Sequence, residues 1–327
     1  MSSTVGAAPP RRAATPARHR PQPRRSSYRL GRWDLKYSPY LYVAPFFVLF
    51  GIFGLFPLLY TVYVSLFDYE LLSGTREFAG LENYRVLLAD AQFWNAAYNT
   101  VGIFVLSTVP QLIVALLLAN LLNRQMRGRT LLRMGIVVPN ITSVAAVGII
   151  FALIFADRYG LVNWLLGTVG IDPVAWRDNR YASWLAIAFM VDWRWTGYNA
   201  LIYLGAMQAI PRDLYESASL DGASAWRQFW QITVPLIRPT ILFTVIISTI
   251  GGFQIFTEPL MYGHGMVRGG AEHEFQTLAM YIYEQTFTGN AEYGYGAAMS
   301  WLLFLMIIIF ALINFALVRR SVKGEQK

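Results

Sequence analysis

Few residues in this chain can do bond-making chemistry. Cysteine is absent, which excludes disulfides, thiolate metal sites and thiol nucleophiles. The three histidines, His19, His264 and His273, fall in neither an HExxH nor a Ser-His-Asp arrangement, and no GxxxxGK(S/T) loop offers a nucleotide site. Glu272-His273-Glu274 has metal-ligand residue types, yet ligand number and second shell are unsupported, and the run reads as a solvated loop. No residue is therefore assigned a catalytic role. What remains are two polar runs inside apolar stretches. One is Asp192-Trp193-Arg194-Trp195-Thr196-Gly197-Tyr198-Asn199, and the other is Gly251-Gly252-Phe253-Gln254-Ile255-Phe256-Thr257-Glu258. Their chemistry is non-covalent. Amides, phenols and carboxylates hydrogen-bond hydroxyl groups and aromatic faces stack on C–H-rich rings, which suits a polyhydroxylated solute held without reaction.

The elements around these runs are strongly apolar. Of 327 residues, 55% are hydrophobic and 14% charged, against about a quarter charged in soluble chains. Six segments are long and apolar enough to span a bilayer: residues 40–67, 97–122, 131–156, 182–207, 236–261 and 297–318. The expected fold class is an all-α membrane protein with six transmembrane helices. Pro45, Pro57, Pro110, Pro139 and the Gly251-Gly252 pair interrupt these spans, which is tolerated where neighbouring helices or a cavity satisfy the freed backbone groups. A bundle around a pathway follows.

Polar residues inside a membrane are costly, so those of the fourth and fifth spans are candidates for lining that pathway. They are Trp195, Tyr198 and Asn199, then Gly251, Gly252, Gln254 and Glu258; for the aromatic residues the alternative is packing between helices. Asp192 and Arg194, two apart, lie on different helix faces and are not expected to pair. Gln254 and Glu258, four apart, share a face. Glu258 either hydrogen-bonds solute or pairs with Arg194. The glycine pair either unwinds its helix and exposes carbonyls or lets two helices pack closely.

Charge placement sets the orientation. Twenty Lys and Arg fall on one side: nine in the N-terminal tail, then Arg124, Arg127, Arg129 and Arg133, then Arg212, Arg227 and Arg238, then four at the C-terminus. Six fall on the other side (Arg76, Arg85, Arg158, Arg177, Arg180 and Arg268), which places both termini in the cytoplasm. Residues 1–39 read as a disordered basic tail that touches anionic lipid, and residues 320–327 as a second cytoplasmic tail. The twin arginine at Arg24-Arg25 precedes an apolar run too long for a signal peptide, with no A-x-A site after it. On the outer side, residues 161–169 are too short to span and predict an interfacial helical turn. Trp94, Trp164, Trp176 and Trp184 are expected in aromatic belts.

One polar interruption reads as ordered helix: IPRDLYESASLDGASAWRQFWQITVPLIRP, residues 210–239. Asp213 with Glu216 predicts a capping box, and Asp221-Gly222 predicts a break after about two turns. Trp226, Phe229, Trp230 and Thr233 predict one face of a second helix, closed by Pro235 and Pro239. An amphipathic helix lying flat on lipid is the alternative to a docking element. The stretch resembles the cytoplasmic coupling loop of permease subunits in ATP-binding-cassette importers, E-A-A, three residues, G, about nine residues, I-x-L-P. The positions here are Glu216-Ser217-Ala218, Gly222, Ile232 and Pro235, with Ser for the first Ala and Val234 for Leu. PRDLYE, the following DGA, Phe78-x-Gly80-Leu81-x-Asn83-Tyr84 and Gly294-Tyr295-Gly296-Ala297-Ala298 are similar to the carbohydrate branch of that family. The likeness covers nearly everything after residue 40.

The resemblance implies a type I importer permease fold over residues 40–319, in a bacterial cell membrane. It implies coupling through Tyr215, Glu216, Ser217, Ala218, Asp221, Gly222, Ala223 and Pro235. The implied partners are a second homologous permease, a cytoplasmic ATPase dimer and an extracytoplasmic solute-binding protein, with a sugar as substrate. ATP and magnesium would sit on the ATPase, leaving this chain without a cofactor; membrane lipid and not nucleic acid accounts for its +8 charge. The runs MVDWRWTGYNALIYL and STIGGFQIFTEPL look most like actinobacterial permeases for cellobiose and related β-glucosides. Glycerol phosphate and other oligosaccharides compete within the family. Outside it, an ion-coupled secondary transporter using Asp192 and Glu258 is the alternative.

Overall fold

The structure is a computed structural model that describes residues 25–70, 74, 76–124, 126–288 and 291–323. The chain divides into two compact units, residues 1–59 and 60–327. Of the expected basic tail, residues 1–24 lie outside the described residues, while from Arg25 onward the chain is helical. In the first unit α1 (Arg25–Phe50) meets a π-helical turn at Gly51–Leu55 and passes into α2 (Phe56–Ser65). Pro57 cannot donate to the carbonyl four residues back and its ring crowds that carbonyl, so the turn before it widens, with the Phe56 N–H bonding Gly51.

The second unit takes up the chain within α2 and continues with a short hairpin, β1 (Phe67–Tyr69) antiparallel to β2 (Arg76–Phe78), and α3 (Glu82–Ala89). Asn83 explains the motif read there: its amide donates to the carbonyls of Ser65 and Phe67, both at 2.9 Å, and locks the hairpin to the end of α2. The long α4 (Ala91–Asn123) is capped by Asp90, which accepts from the Gln92 N–H and from the hydroxyls of Tyr281 and Tyr295. Then come α5 (Arg129–Gly135), α6 (Val138–Ile141), α7 (Val144–Ile154) and α8 (Leu161–Thr168). After α9 (Arg180–Gln208) follow α10 (Asp213–Leu220), α11 (Ala225–Gln228), a π-helical turn (Phe229–Thr233), α12 (Val234–Leu236) and α13 (Arg238–Phe253). The chain closes with α14 (Thr257–Tyr262), α15 (Leu278–Phe287) and α16 (Tyr293–Lys323).

Among the described residues three helices are long and apolar enough to cross a membrane: Tyr37–Ser65, Ala91–Asn123 and Tyr293–Ala316. Two bent pairs qualify together, Arg129–Ile141 with Val144–Ile154 and Ala225–Leu236 with Arg238–Phe253, bent by 90° and 69°. The expected third span is thus no straight rod. Thr142 and Ser143 are extended between α6 and α7, where Pro139 has already removed one helical donor. The expected fourth span, α9, has 29 residues, about 43 Å of helix. It falls short in apolarity because it carries the Asp192–Asn199 run.

Its partner is α4, against which α9 packs along most of its length. Three clusters make the core. One joins α4 to α13, α15 and α16 through Phe104, Phe253, Leu278 and Met299. A second joins α7, α9 and the 254–277 segment through Phe155, Trp184, Ile187 and Phe275. The third gathers Ala119, Leu122, Tyr203, Met207, Phe229 and Ile237 where α4 and α9 end. Two tryptophans expected in an aromatic belt belong to this interior instead: Trp176 donates to Asn163 and Trp184 to the Glu274 carbonyl. An indole with a protein partner for its N–H has no need of the interface. Trp94 and Trp164 are exposed.

Candidate functional site

A cavity of about 350 Å³ lies between α4, α9 and α13. Trp195, Tyr198 and Asn199 line it from α9, and Gly251, Gly252, Gln254 and Glu258 from α13 and the turn after it. The glycine pair does not unwind. Both residues stay helical, and the helix ends two residues later, at Gln254, with Phe256 at φ −134° before α14 restarts. Gly252 serves the closer-packing alternative, since a Cβ there would stand 2.5 Å from the Phe104 ring of α4. Gly251 has nothing within 4 Å of that position and leaves the wall open.

Ser107, Thr108 and Gln111 of α4 also face the cavity, and sequence reasoning missed them. Their helix is so apolar overall that a sliding average hides them; the signal was three polar side chains at i, i+1 and i+4 flanking Pro110. Among the described residues the Gln111 and Gln254 amides and the Tyr198 hydroxyl have no hydrogen-bond partner. The rings of Trp195 and Tyr198 stand edge to face at 5.7 Å, both partly open. Such a wall offers donors, acceptors and aromatic faces to a hydroxyl-rich guest.

Charge on the wall is cancelled. Arg194 donates from Nη1 to Glu258 Oε1 at 2.6 Å, with both side chains about nine-tenths buried. This pair fastens α9 to the start of α14, and the Arg194 guanidinium also lies 5.9 Å over the Trp195 ring. Asp192 does not line the cavity, and its Oδ1 is buried without a partner. The Glu272–Glu274 run is no solvated loop: His273, at φ +59°, turns its carbonyl toward the amides of Asn95 and Asn99, and Glu274 is buried.

At the other end of α9 the 210–239 stretch forms a bent knuckle. The expected capping box is absent. Arg212 is the N-cap residue in helical conformation, so Asp213 lies inside the first turn and its carboxylate caps nothing. The break is as expected: Gly222 takes φ +78°, and the N–H groups of Gly222 and Ala223 return to the carbonyls of Ser219 and Ala218. That is a Schellman ending, which a side chain at Gly222 would strain. Ser224 then caps α11 through the Arg227 N–H.

Two ties hold the arms of the bend. Gln228 donates to Ser219 Oγ and to the Ala223 carbonyl, and the Tyr215 and Thr233 hydroxyls meet at 2.9 Å. The aromatic residues of the expected face do cluster, Trp226 with Phe229 at 5.7 Å and Phe229 with Trp230 at 5.0 Å, but they differ in burial. Pro235 widens the turn at Phe229–Thr233, so Phe229 and Thr233 point into the core while Trp226 and Trp230 stay outside, in contact with each other. No residue of α10 is buried. Glu216, Ser217, Asp221 and Gly222 are exposed, Ala218, Ala223 and Pro235 are half-buried, and Leu220 at the apex is 90% exposed. Leu220 escaped sequence reasoning because it is not one of the positions carried by the coupling motif.

Residues 86–323 match the family described as "Binding-protein-dependent transport system inner membrane component". The chain belongs to this family. The permease is 36% identical over 279 residues to the lactose transport system permease protein of Rhizobium radiobacter, covering 84% of this chain and 92% of that one. It is 34% identical to the arabinooligosaccharides transport system permease protein of Bacillus subtilis, covering 90% and 92%. Its fold is similar to that of a crystallised bacterial alginate ABC transporter, with a TM-score of 0.71 at 22% identity, covering 90% of this chain and 98% of that chain. It is thus a membrane permease subunit of a binding-protein-dependent sugar importer of the ATP-binding-cassette class.

Proposed function

We propose that the cavity between α4, α9 and α13 is this permease's share of the solute pathway, and that the solute is a neutral di- or oligosaccharide. The observation carrying this reading is the lining. Unpartnered amides at Gln111 and Gln254 and a free phenol at Tyr198 stand beside open aromatic faces, with no uncompensated charge. Permeases named for sn-glycerol-3-phosphate occur among the relatives, but a dianion calls for several cations. Not one Lys or Arg lines this wall, and Arg194 beside it is held by Glu258. Cellobiose, suggested by the wording of the fourth and fifth spans, heads the sugars to test.

In the same reading α9 is the fourth of six spans, polar because one of its faces lines the pathway. The knuckle lies in the cytoplasm with both termini, and a separate ATPase grips it from Tyr215 to Ala223. Phe229, buried with Tyr203 and Met207, passes that motion into α9. A second permease completes the wall and a binding protein delivers the solute from outside. ATP and magnesium act on the ATPase alone.

The test is uptake by the complete importer in liposomes. ATP-driven accumulation of a labelled neutral oligosaccharide, cellobiose first, is expected to be competed by other neutral sugars and not by glycerol phosphate. Equal competition by glycerol phosphate overturns the solute reading. Uptake by this chain alone, without an ATPase, overturns the coupling reading in favour of ion-driven transport.

A further inference from the structure

At the knuckle end of the bundle, where α4 stops at Asn123 and α9 at Gln208, a second cavity of about 540 Å³ opens. Arg129 and Arg133 reach it from the α4–α5 connection and Arg212 from the start of the knuckle, about eighty residues later in the chain. Arg129 and Arg212 also line an adjoining hollow with Arg127. No carboxylate lines either space, and among the described residues none of these four arginines is in an ion pair. Arg133 is held in place by donating from Nη2 to the Leu122 carbonyl, the last turn of α4, while its buried Nε has no partner.

A general excess of positive charge on one membrane face explains arginines scattered in loops. It does not explain guanidinium groups from two distant connections facing one concavity without a counter-charge. Like charges gathered in a recess repel one another and favour a bound anion. The guanidinium fork matches phosphate oxygens in particular. The depth is also informative: the cavity lies where two spans end, which is the level of lipid headgroups. Met207 and Ile210 add an apolar flank.

We propose that this cavity is a binding site for a phosphate-bearing anion, a phospholipid headgroup or a free phosphate, held by Arg129, Arg133 and Arg212. Tyr215 of α10 lines the same space and is tied through its hydroxyl to Thr233. Occupancy therefore braces the knuckle on which the proposed coupling depends. Binding itself does not rest on that coupling, and retention of the anion reads it separately from transport.

The experiment uses the assembled importer in phosphatidylcholine vesicles with or without phosphatidylglycerol. After mild solubilisation, retained phosphatidylglycerol is measured by native mass spectrometry. Arg129→Gln and Arg212→Gln are each expected to lower retention about fivefold. Arg124→Gln, an exposed arginine of the same connection outside the cavity, is expected to leave it unchanged. Displacement of the lipid by inorganic phosphate identifies a soluble anion as the occupant, and resistance to it identifies the headgroup; either supports the site. Equal losses for all three variants mean diffuse surface charge and overturn it. Variants that shed the ATPase with lipid retention unchanged also overturn it, by giving the cavity to an acidic surface of that partner. Where a variant fails to fold, hydrogen exchange of α10 in the unmodified complex decides: protection by phosphatidylglycerol or inorganic phosphate is expected, and protection by neither overturns the proposal.

Discussion

The cavity beside α9 and the knuckle that follows it are built on opposite plans. The cavity borrows its wall from three helices and from a turn that ends one of them, and among the described residues its Gln111 and Gln254 amides and Tyr198 hydroxyl are left without partners. The knuckle is assembled from one continuous stretch and satisfies itself: a Schellman ending, a serine cap and two side-chain ties close it before any other element is involved. Unpaired polar groups facing a hollow are costly unless a guest arrives. A self-tied projection carries no such cost, since its polar groups are bonded within the stretch while its apex stays exposed. On the proposed reading, the difference separates a surface kept open for exchange from one kept stiff for pushing.

Four variants test that contrast, taken from the strongest effect downward. Gly222→Asp is expected to reduce uptake to background while the permease stays inserted: the added group meets nothing within 4 Å inside the chain, strains only the local turn at φ +78°, and obstructs an incoming partner. Uptake near the unmodified level would remove the docking role. Glu258→Ala leaves Arg194 buried and unpaired, a loss of about 3–5 kcal/mol; an unchanged thermal midpoint in detergent would mean that the pair does not hold α9 to α14.

Leu220→Ala should weaken ATPase association by roughly thirtyfold, the worth of about 2 kcal/mol of apolar burial at the apex, with no effect on unfolding. A change in stability and not in association would make Leu220 part of the fold. Last, Gln254→Leu with Tyr198→Phe should weaken uptake affinity about tenfold, two neutral hydrogen bonds at roughly 0.7 kcal/mol each, with ATPase assembly untouched. Uptake kinetics identical to the unmodified protein would take both groups off the pathway.

Legibility followed chain locality. The knuckle was readable because Gly222, Pro235 and the residues between them act through neighbours a few positions away. Even there the cap was misread: Asp213 has a capping side chain, but Arg212 takes the helical angles first and leaves it within the turn. Regular helix spacing puts Trp226 and Phe229 on one face and their rings do stack at 5.7 Å, but it does not say that Phe229 alone is buried while Trp226 stays exposed. The outer motif residue Asn83 was recognisable by spacing, yet its work, bonding the end of α2 and the hairpin together, is a matter of approach in space.

By itself the amino-acid order determined the class of protein, the positions of most spans, the break at Gly222 and the two polar runs, because hydropathy, charge bias and glycine or proline geometry operate over short stretches. Only the tertiary structure decided that both runs face one cavity, that Ser107, Thr108 and Gln111 complete it, that Glu258 is neutralised by Arg194, and that three arginines converge beside the knuckle. Those relations join residues about 50 to about 150 positions apart. No local periodicity encodes which helix faces which; that is settled when α4, α9 and α13 pack and small residues such as Gly252 permit the approach.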